Sequence, residues 1–347
     1  MATGRFAPSP TGPLHLGSLR TALVAWLFAR SAGSRFLVRM EDLDPVTSSR
    51  DHEAGQLADL AALGLDWDGP VVRQSERRDL HEAALAALVE RGLTYPCFCS
   101  RREIREAAAA PHAAPGVYPG TCRQLTVREV AAREAEGRPA ALRLRGGDEP
   151  ITIVDRLRGR VTQPADDIVL RRNDGVPAYH VAVVVDDDEQ GVEEVVRADD
   201  LLAATPSHAH LLDLLGRPRP AWAHVPLVLG ADGQRLAKRH GSVTLGDLAA
   251  GGIDADAVRS RLAVSLGLAE PGEVVSAARL VERFDPAALP SEPWIVPPTS
   301  GASGAATFGV AEGGGAGDVA CHLPGDQRAD RDRREHGQGQ GHDEPGR

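Results

Sequence analysis

Three stretches of the chain carry residue types at spacings that could do chemistry. The first runs Arg5-Phe6-Ala7-Pro8-Ser9-Pro10-Thr11-Gly12-Pro13-Leu14-His15-Leu16-Gly17-Ser18. Arg5 to Ala7 read as the end of a short strand, and the prolines from Pro8 to Pro13 neither continue a ladder nor easily start a helix. Leu19, Leu23, Trp26 and Leu27 then recur at helical spacing, so His15-Leu16-Gly17-Ser18 opens a helix that runs to Arg30. A strand, a tight turn and a helix N-terminus aim unpaired N–H groups and the positive end of the helix dipole at one point. That is an anion site. Gly17 would let a ligand come close to the backbone, and His15 adds a donor that can reach phosphate. The plainer reading of the same residues is a strand-to-helix corner with a surface histidine.

The second stretch, Arg235-Leu236-Ala237-Lys238-Arg239, is a cationic loop following an apolar run, either solvated surface or a phosphate contact. The third is Cys97-Phe98-Cys99 with Cys122 beyond it. Three thiols in Cys-x-Cys…Cys spacing fit a tetrahedral zinc site that still needs one ligand. His112 and Tyr118 are the candidates, and general coordination chemistry favours the histidine. Unliganded cysteines packed as small hydrophobes are the alternative. Cys321 stands apart with His322, His336 and His342, and we treat that group as incidental.

The elements that must position these groups alternate. Phe36–Met40 reads as a strand, with Glu41, Asp42 and Asp44 at its C-terminal end, the edge where open α/β sheets bind ligands. Asp44 or Ser48 would cap a helix over 51–63, and 71–74 suggests a strand leading into a helix over 77–91. Strand and helix thus alternate three times, which implies βαβ units and a parallel sheet. A helix from Thr126 to about Glu136 follows the thiol segment, then strands over 141–145, 151–155 and 160–163. Asn173-Asp174-Gly175 signals a turn. The continuous run Val181–Val185 reads as a strand buried on both faces and closed by Asp186–Asp188, with Tyr179 just before it. Arg197 offers the planar guanidinium that bidentate carboxylate recognition demands, beyond what a surface ion pair would need. A helix starts at Ser207, a strand covers 225–230, and helices follow over 244–268 and 274–284.

The chain's 347 residues are enough for a substantial core and more than one domain, and 42% hydrophobic with 25% charged residues is a globular balance. A formal charge of −10 argues against coating nucleic acid by bulk charge, though not against a local basic face. The N-terminus lacks the apolar core of a signal peptide, and no run reaches the ~20 apolar residues of a membrane span. The expectation is a cytoplasmic protein with no membrane partner. Residues beyond 297 are Gly-, Ala- and Arg/Asp-rich with little periodicity and should be disordered.

The His15 segment closely resembles the first signature, "HIGH", of class I aminoacyl-tRNA synthetases, and Arg5–Gly12 resembles their glutamyl branch. Ser18 stands where the second histidine of the motif usually is; small residues there are common in this branch. The Lys238 loop resembles the second signature, "KMSKS", with Arg235 in place of its first lysine and Ala237 of its serine. Family members usually carry Arg-Gln after Thr-Pro, where this chain has Ser207-His208. The resemblance runs to about Trp294. It implies a Rossmann-like parallel α/β catalytic domain over 1–94 and 141–243, a zinc-binding, acceptor-binding insertion over 95–140, a helical stem over 244–296 and a tail over 297–347.

The chemistry so implied is activation of L-glutamate by ATP, with Mg²⁺, followed by transfer to a nucleotide hydroxyl. His15, Gly17, Ser18 and Lys238 would serve ATP, with His15 and Lys238 catalytic. Glutamate would lie on Arg5, Phe6, Ala7, Pro8 and Ser9, its carboxylates on Arg5 and Arg197, its ammonium on Glu41, with Tyr179 adding a hydrogen bond. One subgroup, the glutamyl-queuosine tRNA(Asp) synthetases, carries Cys-x-Cys…Tyr-x3-Cys, which fits Cys97, Cys99, Tyr118 and Cys122; the resemblance therefore implies Tyr118 as fourth ligand of one structural zinc. That subgroup lacks the anticodon-reading helical domain of full-length glutamyl-tRNA synthetases, and no sizeable domain follows Lys238 here. Its members attach glutamate to the queuosine base of tRNA(Asp), and their activation step does not wait for tRNA. The expectation is such an enzyme, acting as a monomer. A truncated glutamyl-tRNA synthetase charging the 3′ end of tRNA(Glu) stays open, as does an inactive RNA-binding paralogue, which Arg235 and Ala237 would favour. A small-molecule ligase or nucleotidyltransferase sharing the His-x-Gly helix start fits less well, because of the zinc insertion and the Lys238 loop.

Overall fold

The computed structural model describes residues 2–108, 117–234 and 243–296. The first half alternates β1 (Gly4–Phe6), α1 (Leu16–Ser31), β2 (Phe36–Met40), α2 (Arg50–Ala62), β3 (Val72–Arg73) and α3 (Arg78–Glu90). There follow β4 (Thr94–Cys97), α4 (Arg101–Ala108), α5 (Val127–Ala135), β5 (Ala141–Leu144), β6 (Pro150–Asp155), β7 (Gly159–Pro164) and β8 (Val169–Arg171). Then come α6 (Tyr179–Glu189), β9 (Glu194–Ala198), α7 (Thr205–Leu215), β10 (Ala221–Val225), β11 (Val228–Leu229), α8 (Leu245–Ala250), α9 (Ala255–Ser265), α10 (Ala277–Arg283) and β12 (Trp294–Ile295).

The main sheet has the order β3-β2-β1-β9-β10-β6-β7, and every pair is parallel except the β6–β7 hairpin. The chain winds outward from β1 through β2 to β3, then returns to lay β9 on the other side of β1. The crevice above β1 and β9 is thus a topological switch point, where ligands bind such sheets. β4, β5 and β8 form a separate antiparallel sheet, so the first of the three later expected strands leaves the main sheet.

Side-chain alternation divides the core in two. Phe36, Val38 and Met40 of β2, with Val196, Ala223 and Val225, pack with α1 and α9. Leu37, Val195 and Trp222 face the other way, into a core with α3, α6 and α7. On this second face each strand turns polar two residues later, at Arg39, Arg197 and His224, and all three are buried. Register places Arg197 beside His224 and Trp222 beside Val195. An apolar base and a charged top at the C-terminal strand ends is what a polar ligand site at the switch point requires.

Several expectations are corrected. Val181–Val185 lies inside helix α6, not in a strand. A short continuous apolar run fits a buried strand or a helix buried on most sides, and α6 is the latter. Asp186 and Asp187 do not end it in solvent; both are buried within the helix because cations await them. Ser49 rather than Asp44 or Ser48 caps α2, accepting from His52 N–H, while Asp44 accepts from Val46 N–H two residues on. The segment 225–230 divides at Pro226 into the end of β10 and the short β11, which pairs with β12. The expected helix over 244–268 is two helices, α8 and α9. Gly175, with φ 83°, makes the anticipated turn, though it leads into α6 instead of a second strand.

Candidate active site

A cavity of about 790 Å³ opens above β1 and β9, lined by Arg5–Ser9, the His15–Ser18 corner, Glu41, Tyr179 and Arg197. The residues singled out in the sequence for glutamate and ATP meet here, apart from Lys238. Lys238 lies outside the described residues, as do Arg235, Ala237, Arg239, His112 and the tail after 296. Both flanks of the Lys238 segment reach this corner. Val228 lines the cavity beside Gly17, Leu16 N–H donates to Val243 O at 3.2 Å, and His15 bridges to Thr244.

The proline-rich turn is held open by bonds from neighbouring elements. Glu41 N–H donates to Pro8 O at 2.9 Å and Ser49 N–H to Pro10 O at 3.0 Å. The buried Gln56 amide of α2 donates to Ser9 O at 3.0 Å and Gly12 O at 2.7 Å. Four loop carbonyls, those of Pro8, Ser9, Pro10 and Gly12, are thereby satisfied without secondary structure. His15 is the N-cap of α1: its Nδ1 accepts from Ser18 N–H at 3.3 Å, and its Nε2 lies 3.2 Å from Ser18 Oγ. Ser18, in the second-histidine position, therefore orients the first histidine. Gly17 serves this same contact, since a Cβ there would stand 3.1 Å from the His15 ring. Gly17 also lines the cavity, so the missing side chain serves the packing of the His15 ring as well as leaving the backbone open to the cavity.

Arg5 and Arg39 share Asp187. Arg5 Nε and Nη2 donate to its two carboxylate oxygens at 3.0 and 3.2 Å, Arg5 Nη1 donates to Val196 O at 3.1 Å, and Arg39 Nη1 reaches Asp187 at 2.8 Å. Burial opposes the charge on Asp187, but Arg5 and Arg39 outweigh it and hold its carboxyl below the ordinary value. Glu41 is the opposite case. Burial pushes its carboxyl up to about 7 against the pull of Arg39, 3.5 Å away, and of Arg5. A nearly dry carboxylate whose charge burial opposes is one that an incoming cation could stabilise.

Arg197 is surrounded differently. Its Nε donates to His224 Nε2 at 3.0 Å, Nη1 to Tyr179 Oη at 3.3 Å and Nη2 to Thr205 Oγ1 at 2.8 Å. His208 Nδ1 sits in the fork, 3.3 and 3.2 Å from Nη1 and Nη2. His224 Nδ1 bonds Asp155 at 2.6 Å. Asp187, Arg39, Thr205, His208, His224, Asp155 and Gln56 were not anticipated from the sequence. The signal that could have found three of the strand residues was the change from apolar to polar at a period of two, Leu37 to Arg39, Val195 to Arg197 and Trp222 to His224.

The thiol cluster is set apart, on the β4 side of the molecule. Cys97, Cys99 and Cys122 bring their sulfurs within 4.8 Å of one another and could hold a metal ion. Tyr118 Oη lies 3.3 Å from Cys97 Sγ and 3.4 Å from Cys99 Sγ, Cys122 N–H donates to it at 3.0 Å, and Arg143 covers the Tyr118 ring at 3.7 Å. A tetrahedral zinc with ordinary bond lengths separates two sulfurs by ~3.8 Å and a sulfur and an oxygen by ~3.5 Å. The 3.5 Å between Cys99 Sγ and Cys122 Sγ and the tyrosine distances fit that group. No helix among the described residues is long and apolar enough to cross a membrane.

Comparison with known proteins agrees with this geometry. The profile of the family "tRNA synthetases class I (E and Q), catalytic domain" matches residues 1–295. A glutamyl-Q tRNA(Asp) synthetase of Nocardia farcinica is 59% identical over 84% of this chain and 92% of its own length. One from Symbiobacterium thermophilum is 48% identical over 86% of this chain and 96% of its own. Among solved structures, a glutamate tRNA ligase from Elizabethkingia meningosepticum, crystallised with its amino acid, superposes with a TM-score of 0.71 at 29% identity, covering 85% of this chain and 66% of that one.

Proposed function

The chain belongs to the class I tRNA synthetases of the glutamyl and glutaminyl type, and from that premise we propose the assignment of its residues to the reaction. The activity is that of a ligase: glutamate is activated by ATP to glutamyl-adenylate, then transferred to the queuosine base of tRNA(Asp), as the names of its relatives indicate. The observation that carries the residue assignment is the convergence of Arg5, Glu41, Tyr179, Arg197 and the His15 corner on one cavity at the switch point.

Glutamate lies with its carboxylates on Arg5 and Arg197 and its ammonium on Glu41, with Ser9 and Tyr179 donating hydrogen bonds and the Phe6–Pro8 backbone beneath it. ATP lies on His15, Gly17 and Ser18 at the N-terminus of α1. In the first step a glutamate carboxylate oxygen attacks the α-phosphorus, the bond to the bridging oxygen breaks, and pyrophosphate leaves. Lys238 draws off the charge that grows on that leaving group, and a Mg²⁺ bound with the ATP would add to that stabilisation. In the second step a hydroxyl of the queuosine ring attacks the activated carbonyl and AMP leaves. The protein's work in both steps is positioning and charge stabilisation. Cys97, Cys99, Tyr118 and Cys122 hold one zinc, whose role is to staple the loop between β4 and α5. The enzyme works as a cytoplasmic monomer.

The test supplies radiolabelled glutamate and ATP with queuosine-containing tRNA(Asp), unmodified tRNA(Asp) or tRNA(Glu). Label should enter only the first, should persist after removal of the tRNA's 3′-terminal adenosine, and should map by nuclease digestion to the anticodon loop. Label confined to the 3′ end of tRNA(Glu) would instead identify a glutamyl-tRNA synthetase. Absence of glutamate-dependent ATP–pyrophosphate exchange would identify an inactive paralogue.

A further inference from the structure

Arginine only donates, so each acceptor around Arg197 fixes a proton elsewhere. His208 Nδ1 accepts from the Arg197 fork and must be bare, so its Nε2–H donates to His180 Nδ1 at 2.8 Å, which leaves the proton of His180 on Nε2. His224 Nε2 accepts from Arg197 Nε, so its Nδ1–H donates to Asp155. Thr205 accepts from Arg197 Nη2 and donates to Leu201 O at 3.2 Å. All three nitrogens of the guanidinium are engaged by a network with one consistent set of protons.

Arg197 is also a partition. Besides the substrate cavity it lines a second one of about 400 Å³ on the far side, shared with His208 and bounded by Asp187, Asp188 and Glu193. That cavity is also lined by Arg219, and Asp187 and Asp188 already hold Arg5, Arg39 and Arg217, so the rear space offers a released guanidinium room to turn away from the substrate. His208 is 2% exposed, and burial together with the Arg197 charge holds its imidazole well below the ordinary value, so it stays a neutral acceptor.

We propose that His208 is a positioning residue for amino-acid recognition: its Nδ1 pins the Arg197 fork against Tyr179 and Thr205 and keeps that side chain from swinging into the rear cavity. This rests on the reading that Arg197 receives a glutamate carboxylate. His208 touches no substrate itself, and its effect should be confined to glutamate binding. Asparagine carries an acceptor oxygen where the histidine carries Nδ1, so it should replace the histidine in this role, whereas alanine should not.

The experiment measures KM for glutamate and for ATP separately, by ATP–pyrophosphate exchange, in wild type, His208→Ala, His208→Asn and Arg197→Ala. Losing a hydrogen bond to a charged group predicts a rise of about 10- to 100-fold in glutamate KM for His208→Ala. ATP KM should stay within about twofold, the size of ordinary context effects, and His208→Asn should restore most of the glutamate affinity. Unchanged glutamate KM in His208→Ala, with a large rise in Arg197→Ala, would overturn the role of His208 and leave the site assignment standing. Unchanged KM in both would overturn the assignment of Arg197 itself. Equal rises in both KM values in His208→Ala, not rescued by asparagine, would mark a structural residue and also overturn the proposal.

Discussion

Glutamate affinity should fall as the pH is lowered from 8 to 6, and Glu41 should be the cause. Its carboxyl is raised from 4.5 to about 7, first by burial, with Arg39 and Arg5 only partly opposing that burial. The sign follows from which state holds the proton more tightly. The folded, empty site binds it better than the unfolded chain, so the group lowers folding stability progressively as pH rises from about 4.5 to 7, by about 3 kcal/mol in full. An ammonium placed on Glu41 relieves that cost by stabilising the carboxylate, but below pH 7 the proton must leave first. Apparent affinity should then weaken by a factor of one plus the ratio of proton concentration to the acid constant. That is about 10-fold between pH 8 and pH 6. Calorimetric titration of glutamate in two buffers of different ionisation enthalpy counts the protons released, expected at about 0.9 at pH 6, 0.5 at pH 7 and 0.1 at pH 8. The imidazoles of His180, lowered to about 4, and His208, held well below the ordinary value by burial and the Arg197 charge, stay neutral across this range and do not compete with the assignment. Glu41→Gln should bind glutamate more weakly and show no slope. A wild-type profile flat from pH 6 to 8, with no proton released, would refute both the ammonium contact and the burial argument.

Lys238→Ala should lower glutamate-dependent pyrophosphate exchange by about 10²- to 10³-fold, the cost of losing a positioned charge-stabilising group, while calorimetric glutamate affinity and thermal unfolding stay as in wild type. Cys99→Ser should drop zinc, measured by atomic emission, from one per chain toward zero, and Tyr118→Phe should release it to a chelator faster than wild type. Faster release from His112→Ala and none from Tyr118→Phe would reverse the ligand assignment. Asp186 accepts from Gln74, Arg77 and His81 at 2.9, 2.6 and 3.1 Å and is fully buried, so Asp186→Ala should destabilise the fold by about 3–5 kcal/mol in urea titration. A loss below about 1 kcal/mol would show that those partners find water instead.

What the sequence made legible is the part governed by local pattern. β2 falls on the residues expected of it, α1 starts where the His15 corner said, and the alternation of three strands and three helices correctly implied a parallel sheet. The glutamate-site residues inferred from the signature meet in one cavity because that signature lies on the strand end beside the crevice. The misread element, α6, failed for a definite reason. Val181–Val185 is buried on so many sides that it carries no helical stripe, and its aspartates looked like a solvent-facing end. Their partners lie far away in the chain: Arg5 for Asp187, and Arg77 and His81 for Asp186. No local window contains both halves of such a pair. The network around Arg197 was hidden for the same cause, since Asp155, Thr205, His208 and His224 come together only through the register of β6, β9 and β10 and the packing of α7.

The two arginines that face the cavity differ in how they are prepared, and that difference sets what each can contribute. Arg5 already holds Asp187 in a two-point contact, a carboxylate it shares with Arg39, so a ligand carboxylate meets a cation that is partly paired. Every direct partner of Arg197 among the described residues is uncharged: tyrosine, threonine, two neutral histidines and a backbone carbonyl at Leu201. Its nearest carboxylate in that network, Asp155, acts only through His224. A buried guanidinium held by neutral acceptors keeps most of its attraction for an anion, and the free energy of keeping it there is supplied by fixed dipoles instead of by a counter-charge. Under the proposed assignment, the site offers one pre-paired cation for orientation and one reserved cation for charge. In that reading Glu41, uncharged in part until an ammonium arrives, completes the match to a substrate that carries two carboxylates and one amine.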